Sequence, residues 1–149
     1  MNIALYQPDI AANVGSILRL CACTGCALHI IEPCGFPFDD KRLRRSGMDY
    51  IEHVRLIRHF SWENFLDYYQ SSISGRLILL STRAGKAYTD IDYTTDDILL
   101  MGRESVGVPD TVRQACMLTA TIPMQPGMRS LNVALAAAMV LGEAIRQTT

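Results

Sequence analysis

Polar side chains and glycines gather in three segments, each at a point where a predicted strand is followed by a predicted helix. The first covers residues 13–19, follows the first strand and reads N-x-G-x-x-x-R. Asn13 can cap a helix at this position, and Gly15 allows close approach of another chain or a ligand. Arg19 lies further along the same helix, with a planar fork suited to phosphate or carboxylate. Taken alone, a capped helix with a surface arginine also explains this segment.

The second segment covers residues 102–109 and reads G-R-E-S-V-G-V-P, between an apolar run and a helix. Open α/β sheets bind ligands at this place, outside the carboxyl end of a parallel strand. A phosphate loop would have Lys-Ser or Lys-Thr where Val108 and Pro109 stand, and the chain contains no G-x-G-x-x-G. The segment therefore argues against nucleoside triphosphates and nicotinamide dinucleotides. A purely structural turn is the alternative.

The third segment, residues 122–132, joins the last predicted strand to an alanine-rich helix. Pro123, Pro126 and Gly127 predict a stiff loop rather than a helix or strand. Ser130 and Asn132 then place two short polar groups at the start of a helix, beside free backbone N–H groups. A well-capped helix is again the alternative for this segment alone.

Neither metal binding nor a nucleophile–base pair is indicated by the remaining reactive residues. The first two cysteines are two positions apart on a predicted helix, so they do not share a face, and no histidine doublet lies near them. We therefore expect no metal site, and an odd number of cysteines without secretory context predicts no disulfides. The residues concerned are Cys21, Cys23, Cys26, Cys34, Cys116, His29, His53 and His59.

The elements that must position these segments alternate along the chain. Short apolar runs predict strands at residues 3–6, 28–31, 54–57, 77–80, 98–101 and 118–122. Between them, helices are predicted at residues 13–24, 40–48, 61–71 and 109–115, with Ser61 as an N-cap and Pro109 at a first helical position. Nearly continuous apolar strands with helices between them predict an α/β domain whose parallel sheet is covered on both faces.

The last predicted helix, residues 131–147, is apolar or small on nearly every side. A helix of this composition is buried, either in the core or partly in a subunit interface. One small domain seldom encloses a helix on all sides, which favours the interface.

Composition limits the classes of protein that this chain can belong to. Its 149 residues predict one domain over 1–149, and 49% hydrophobic residues exclude a disordered chain. The longest apolar run, 133–141, is too short to span a membrane, and no signal peptide precedes it, so we expect a cytoplasmic protein without membrane contact. The net charge is −1, yet residues 41–58 contain six basic and two acidic side chains. Such a patch can bind nucleic acid through one defined face.

Together and in this order, the three segments resemble the SPOUT superfamily of RNA methyltransferases. The stretches 28–33 and 39–50 narrow the resemblance to the TrmL/YibK group, the tRNA wobble-position cytidine/uridine 2′-O-methyltransferases. The resemblance covers essentially the whole chain. It implies a SPOUT-type parallel sheet flanked by helices with a C-terminal trefoil knot, a homodimer through the C-terminal helix, and S-adenosylmethionine as cofactor. Small departures from the common pattern are Arg103, Val108 and Ala134.

Carried over by motif, the resemblance assigns roles to individual residues. It implies a cofactor pocket at Leu80, Gly102, Glu104, Ile122, Met124, Ser130 and Leu131. It implies catalytic roles for Arg19, Ser130 and Asn132, and RNA contacts for Lys41, Arg42, Arg44 and Arg45. Family accounts often make the motif arginine the base. A guanidinium stays protonated in proteins, however, so stabilising the developing alkoxide or holding the adjacent phosphate is physically easier.

Two other functions remain open at this stage. A methyltransferase of the same fold could act on another tRNA site or on ribosomal RNA, although relatives acting on ribosomal RNA usually carry an added RNA-binding domain. A ligand-gated RNA-binding protein without catalysis would be favoured if Arg19, Ser130 or Asn132 were missing, and all three are present.

Overall fold

A computed structural model describes residues 1–39, 49–83 and 85–149. In these ranges one sheet contains seven strands, all joined by parallel pairings, in the order β3-β2-β1-β6-β4-β7-β5. The strands are β1 (Asn2–Tyr6), β2 (Ala27–Ile31), β3 (Leu56–His59), β4 (Leu77–Leu80), β5 (Lys86–Ala87), β6 (Ile98–Met101) and β7 (Leu118–Thr121). The predicted parallel α/β architecture is confirmed.

Helices cover both faces of the sheet, as continuous apolar strands require. They are α1 (Ala11–Thr24), α2 (Trp62–Ser72), α3 (Asp110–Ala115) and α4 (Val133–Thr148), with short 3₁₀ turns at Asp49–His53 and Tyr88–Asp90. Alternate residues of β1 point to opposite faces. Ile3 and Leu5 pack in the core beneath α1 and α4, whereas Ala4 and Tyr6 pack in the core beneath α2 and α3.

Two strands differ from the prediction, and both differences have a physical cause. The predicted strand 54–57 lies two residues further on, at β3, because His59 is buried in the core and continues the strand as an apolar residue would. Strand β5 has only two residues and pairs only with the end of β7, too short for any periodicity to reveal. The predicted helix at 40–48 lies outside the described residues, and the trefoil knot stays a prediction.

The predicted starts of two helices were also wrong. Asn13 was expected to cap α1, but the cap position is Ile10, and Asn13 lies inside the helix with its side chain buried. Pro109 precedes α3 as its N-cap residue instead of occupying the first helical position. Ser61 caps α2 as predicted, accepting a hydrogen bond from the backbone N–H of Asn64 at 3.2 Å.

Helix α4 buries only one side against its own chain. Its buried residues are Ala137, Val140, Leu141 and Ala144. Leu135 and Met139 on another side are exposed, so a helix enclosed in the core is wrong for the single chain. Within the part of the chain that the structure describes, no helix is long and apolar enough to cross a membrane.

Two histidines that lie far apart in sequence meet in the core. Nδ1 of His29 on β2 lies 3.0 Å from Nε2 of His59 on β3, and the rings stack on each other beside Phe65. Nε2 of His29 is buried without a hydrogen-bond partner among the described residues. Burial lowers the pKa of His29 to about 4, with His59 and Arg55 adding to this effect, and burial also lowers the pKa of His59.

The protein is therefore expected to lose stability in mild acid. Below about pH 6.5 an unfolded chain takes up a proton on histidine, whereas folded His29 stays neutral until about pH 4. The free energy of unfolding should fall as pH falls through this window, by about 2 kcal/mol between pH 7 and pH 5 from His29 alone. Urea titrations of His29→Gln should show a flatter pH dependence. His53 is exposed, so the His53→Gln variant should keep the pH dependence of the parent protein. Equal slopes of unfolding free energy against pH for the parent and both variants would contradict this account.

Candidate active site

A cleft of about 720 Å³ opens at the carboxyl edge of the central strands. Its walls come from the loops that follow β4, β6 and β7, and its floor from the start of α4. Parallel strands bring their carboxyl ends to one edge, so segments distant in sequence meet there. The volume lies in the range typical of small-molecule sites. Apolar side chains from the ends of β4 and β6 and from the loops after β6 and β7 line the cleft: Leu79, Leu80, Met101, Val106, Val108, Ile122 and Met124.

The loop after β6 is a tight hairpin closed by its own backbone. Arg103 and Gly107 exchange backbone hydrogen bonds of 3.0 and 2.9 Å. Gly107 has a φ of +72°, which favours glycine. A Cβ atom on Gly102 would lie 2.9 Å from the carbonyl carbon of Gly107 and 3.1 Å from Cγ1 of Val108. Gly102 is therefore required for the hairpin to close, whatever occupies the cleft.

Asp9, in the loop after β1, fastens this hairpin to the first strand. Its Oδ1 accepts hydrogen bonds from Nε and Nη2 of Arg103, at 3.2 and 2.7 Å. Its Oδ2 accepts from the backbone N–H and the hydroxyl of Ser105, at 3.1 and 2.6 Å. The side chains of Arg103 and then Ser105 lower the pKa of Asp9 to about 2. Arg103, which departs from the common family pattern, thus serves as the ion-pair partner of Asp9.

A hydrogen-bonded chain of side chains connects the three segments that the sequence analysis singled out. Glu104 accepts from Nδ2 of Asn13 at 3.0 Å, and Asn13 accepts in turn from Nδ2 of Asn132 at 2.9 Å. The Oδ1 of Asn132 caps α4 by accepting from the backbone N–H groups of Ala134 and Leu135. The other carboxylate oxygen of Glu104 accepts from the backbone N–H of Asp9 at 2.8 Å. Each segment therefore holds the next in place.

The cleft carries an excess of positive charge. Of the described residues that line it, four are arginines and one is a carboxylate: Arg83, Arg103, Arg113, Arg129 and Glu104. Arg103 is paired with Asp9, and Arg113 donates to the Ser81 hydroxyl at 3.1 Å. The amino end of α4 adds a partial positive charge at the same place. An amphipathic ligand with an anionic end fits this combination of apolar walls and cations.

All seven residues predicted to bind the cofactor line this one cleft. They are Leu80, Gly102, Glu104, Ile122, Met124, Ser130 and Leu131. Ser130 and Asn132, predicted to be catalytic, also line it. No group of three or more potential ligands among His, Cys, Asp and Glu that could hold a metal ion occurs in the described ranges.

Arg19 is not brought to the cleft of its own chain. It is exposed on α1, with its guanidinium carbon 4.8 Å from the ring centroid of Tyr50 and Nη2 3.5 Å from the Tyr50 hydroxyl. The four residues predicted to bind RNA, Lys41, Arg42, Arg44 and Arg45, lie outside the described residues.

Three contributors to the site were missed from the sequence. Asp9 and Arg113 belong to no motif, and Asn13 was assigned to a cap rather than to a bridge between Glu104 and Asn132. The one available signal was position. Asp9 follows β1 and Arg103 follows β6, and these two strands are neighbours in the sheet. The partners of Asp9 and Asn13 lie about 90 to 120 residues away and that of Arg113 lies 32 residues away, so no local pattern could reveal them.

Comparison with known proteins gives one consistent result. The model of the SpoU rRNA Methylase family matches residues 1–142. A relative from Beijerinckia indica subsp. indica, named tRNA (cytidine(34)-2′-O)-methyltransferase, is 57% identical over 145 residues. The matched region covers 97% of this chain and 90% of that relative.

Solved structures agree in fold over nearly the full chain. One, described as giving structural insights into the 2-OH methylation of C/U34 on tRNA, superposes with a TM-score of 0.90 at 37% identity, covering 98% of this chain and 94% of its own. The SpoU methyltransferase AviRb from Streptomyces viridochromogenes, solved in complex with AdoMet, superposes with a TM-score of 0.88 at 27% identity. That match covers 99% of this chain and 60% of AviRb.

Proposed function

Because the chain belongs to the SpoU rRNA Methylase family, we propose that it methylates the ribose 2′-hydroxyl of the wobble nucleotide of tRNA, a cytidine or uridine at position 34. The methyl donor in this proposal is S-adenosylmethionine. The observation that carries the proposal is the chain of hydrogen bonds from Glu104 through Asn13 to Asn132, which joins all three motifs around one cleft. The relatives named for methylation at tRNA position 34 match nearly the whole chain and support the choice of substrate.

The residues of the cleft fit S-adenosylmethionine in both shape and charge. Ile122, Met124 and Leu80 offer an apolar wall for the adenine, and the backbone of the hairpin that starts at Gly102 lies beside it. Arg83, Arg113 and Arg129 offer cations for the carboxylate of the methionine part. When bound, this cofactor supplies an electrophilic methyl group on a sulfonium.

Two nearby carboxylates are already engaged as hydrogen-bond acceptors within the site. Both oxygens of Glu104 already accept hydrogen bonds, from Asn13 and from the backbone of Asp9. Both oxygens of Asp9 are held by Arg103 and Ser105. These carboxylates therefore build the site. In the proposal the hydroxyl proton leaves to solvent water, and cations and hydrogen-bond donors stabilise the negative charge that develops on the ribose oxygen.

Ser130 and Asn132 lie where they can orient the ribose at the amino end of α4. Asn132 is fixed by its cap and by Asn13, so its position is set before substrate arrives. Such preorganisation can replace much of the entropic cost of aligning the two reactants. In the proposal Arg19 contacts the reacting ribose or its phosphate, while Lys41, Arg42, Arg44 and Arg45 contact the RNA backbone.

The direct test is a product analysis. The protein is incubated with total tRNA and with S-adenosylmethionine labelled in the methyl group, and the RNA is then digested to nucleosides. We expect label in 2′-O-methylcytidine or 2′-O-methyluridine. Label only in a base-methylated nucleoside, or no label in any RNA, would refute the proposal.

We also propose a homodimer through α4. Leu135, Ala138, Met139 and Gly142 recur at helical spacing and are all exposed, which leaves an apolar stripe along the helix. Contiguous apolar surface of this kind is typical of an interface. The exposed Leu131 lies beside the amino end of this stripe, so a second chain packed there would border the cleft.

Light scattering at micromolar concentration should therefore give twice the chain mass of 16.6 kDa. The double variant Leu135→Glu/Met139→Glu should shift the protein to monomer, because it buries two carboxylates in the proposed interface. Met117→Glu is the matched control, since Met117 is equally exposed but lies at the amino end of β7, on the opposite edge of the sheet. A monomeric wild-type protein would contradict the dimer.

A further inference from the structure

Phe60 is a largely exposed aromatic residue on a stretch of backbone that is fixed on both sides. It follows β3 directly, and its side chain is 80% exposed. The backbone is fixed on both sides, because the His59 carbonyl accepts from the backbone N–H of Glu32 at 2.9 Å and Ser61 caps α2. The neighbours His59 and Trp62 are buried.

Phe60 does not have the structural role that is usual for a hydrophobic residue at its position. A hydrophobic residue just before an N-cap often packs on the residue four positions into the helix, which here is Phe65. Phe65 is fully buried in the core, whereas Phe60 stays largely in solvent, so this staple is not formed. The exposed ring therefore contributes little to the stability of α2.

Two residues before Phe60, a cation is engaged by both a carboxylate and an aromatic ring. The guanidinium of Arg58, two residues earlier on β3, lies 4.3 Å from the ring centroid of Phe38 and pairs with Glu32 at 2.7 Å. The basic run begins at Lys41, two residues after Asp39, where the description of the chain stops. Phe60 therefore adds an uncharged aromatic ring near a charge that is already paired.

The sheet order places Phe60 on the same edge as the cleft. From β6, whose end begins the Gly102 hairpin, the sheet continues through β1 and β2 to β3. Three interstrand steps of about 4.8 Å give about 14 Å between the two positions along the edge. Stacked nucleotides rise by about 3.4 Å each along one nucleic-acid strand, so about four of them span that distance. Fewer nucleotides are needed where the RNA is extended.

From this placement we propose that Phe60 is a base-stacking residue, on which an unpaired base of the tRNA flanking the methylated nucleotide lies. The choice of tRNA as the bound RNA rests on the proposed function. Stacking on an exposed aromatic face holds single-stranded bases without reading their identity. A lone ring beside a paired Arg58 and Glu32 suits a flat base better than a second copy of the chain, for which the apolar stripe of α4 offers more surface.

The test measures binding of a labelled anticodon stem-loop at two salt concentrations, with S-adenosylhomocysteine affinity measured in parallel. Phe60→Ala is expected to weaken RNA binding by about five- to 150-fold, the range for loss of one stacked base. The salt slope should not change, because no charge is removed, and cofactor affinity should stay at the wild-type value. Phe60→Trp should keep most of the affinity, Phe60→Leu should not, and the exposed Met117→Ala should bind as wild type.

Wild-type RNA affinity in Phe60→Ala would overturn the proposal. A change in oligomeric mass without a change in RNA binding would also overturn it, and would indicate that Phe60 contacts a protein partner. Fluorescence of Trp62, the single tryptophan of the wild-type chain, reports whether the Ala and Leu variants are folded, and thermal unfolding reports it for Phe60→Trp. Binding is measured without methyl transfer, so the outcome is separable from the proposed function. If Phe60→Ala weakens RNA binding while position 34 is not methylated, the stacking role stands and only the choice of reaction fails.

Discussion

Replacing Arg19 with alanine should reduce tRNA methylation by about 100- to 1000-fold while leaving S-adenosylmethionine affinity nearly unchanged. That factor is typical for loss of one preorganised contact to charge that develops in the transition state. The cofactor should be unaffected because Arg19 does not line the cleft of its own chain. Single-turnover methylation and calorimetry with S-adenosylhomocysteine measure the two quantities separately. A variant that methylates at the wild-type rate would remove Arg19 from the catalytic set and leave Ser130 and Asn132 to be tested.

Two further variants separate the possible roles of the guanidinium. Arg19→Lys keeps a cation but loses the planar fork, so partial recovery would indicate charge and no recovery would indicate bidentate geometry. Tyr50→Phe keeps the ring on which Arg19 lies and removes only a weak hydrogen bond of 3.5 Å. It should therefore retain most of the activity.

The second large effect is expected at Gly102. Gly102→Val should abolish binding of S-adenosylhomocysteine, because even a Cβ atom would collide with the backbone of Gly107 and force the hairpin open. Overpacking of this kind costs about 1–3 kcal/mol, and the branched side chain adds bulk at the wall of the cleft. Gly102→Ala should show an intermediate affinity. Thermal unfolding identifies the folded variants, and wild-type affinity in a folded Gly102→Val protein would place the cofactor elsewhere.

Together these two variants test how Arg19 reaches a cleft that it does not line. Arg19 is exposed on α1, which packs against α4, the helix of the proposed dimer. If each cleft takes Arg19 from the second chain, a mixture of Arg19→Ala and Gly102→Val proteins should regain activity that neither has alone. In the mixed dimer one cleft keeps Gly102 and faces an intact Arg19. No recovery after exchange of subunits would place Arg19 in the cleft of its own chain.

The sheet could be predicted from sequence because its strands are short, apolar and separated by helices. Runs such as 77–80 and 98–101 match β4 and β6 residue for residue, since strands buried on both faces need apolar side chains at every position. The shift at β3 could not be predicted, because His59 is polar by type and apolar by environment. Its burial depends on His29 and Phe65, which come from two other elements.

Much of the candidate site could also be predicted, but through the motifs rather than through their contacts. The order of the three segments led to the seven residues that line the cleft together. The bridge from Glu104 through Asn13 to Asn132 could not be found, because an asparagine near a helix start is equally typical of a cap. The position of Arg19 away from the cleft of its own chain could not be predicted either, because spacing along one helix does not say which side of that helix faces loops elsewhere in the chain.

Placing a single deoxyribose in the tRNA tests the central claim most directly. A tRNA that lacks only the 2′-hydroxyl of nucleotide 34 is compared with its all-ribose parent and with one that lacks the 2′-hydroxyl of a neighbouring nucleotide, each with labelled S-adenosylmethionine. We expect full incorporation into the parent and the neighbouring-site RNA, and none into the RNA modified at position 34. Incorporation at the parent level into the RNA without that hydroxyl would contradict the assignment of the reaction.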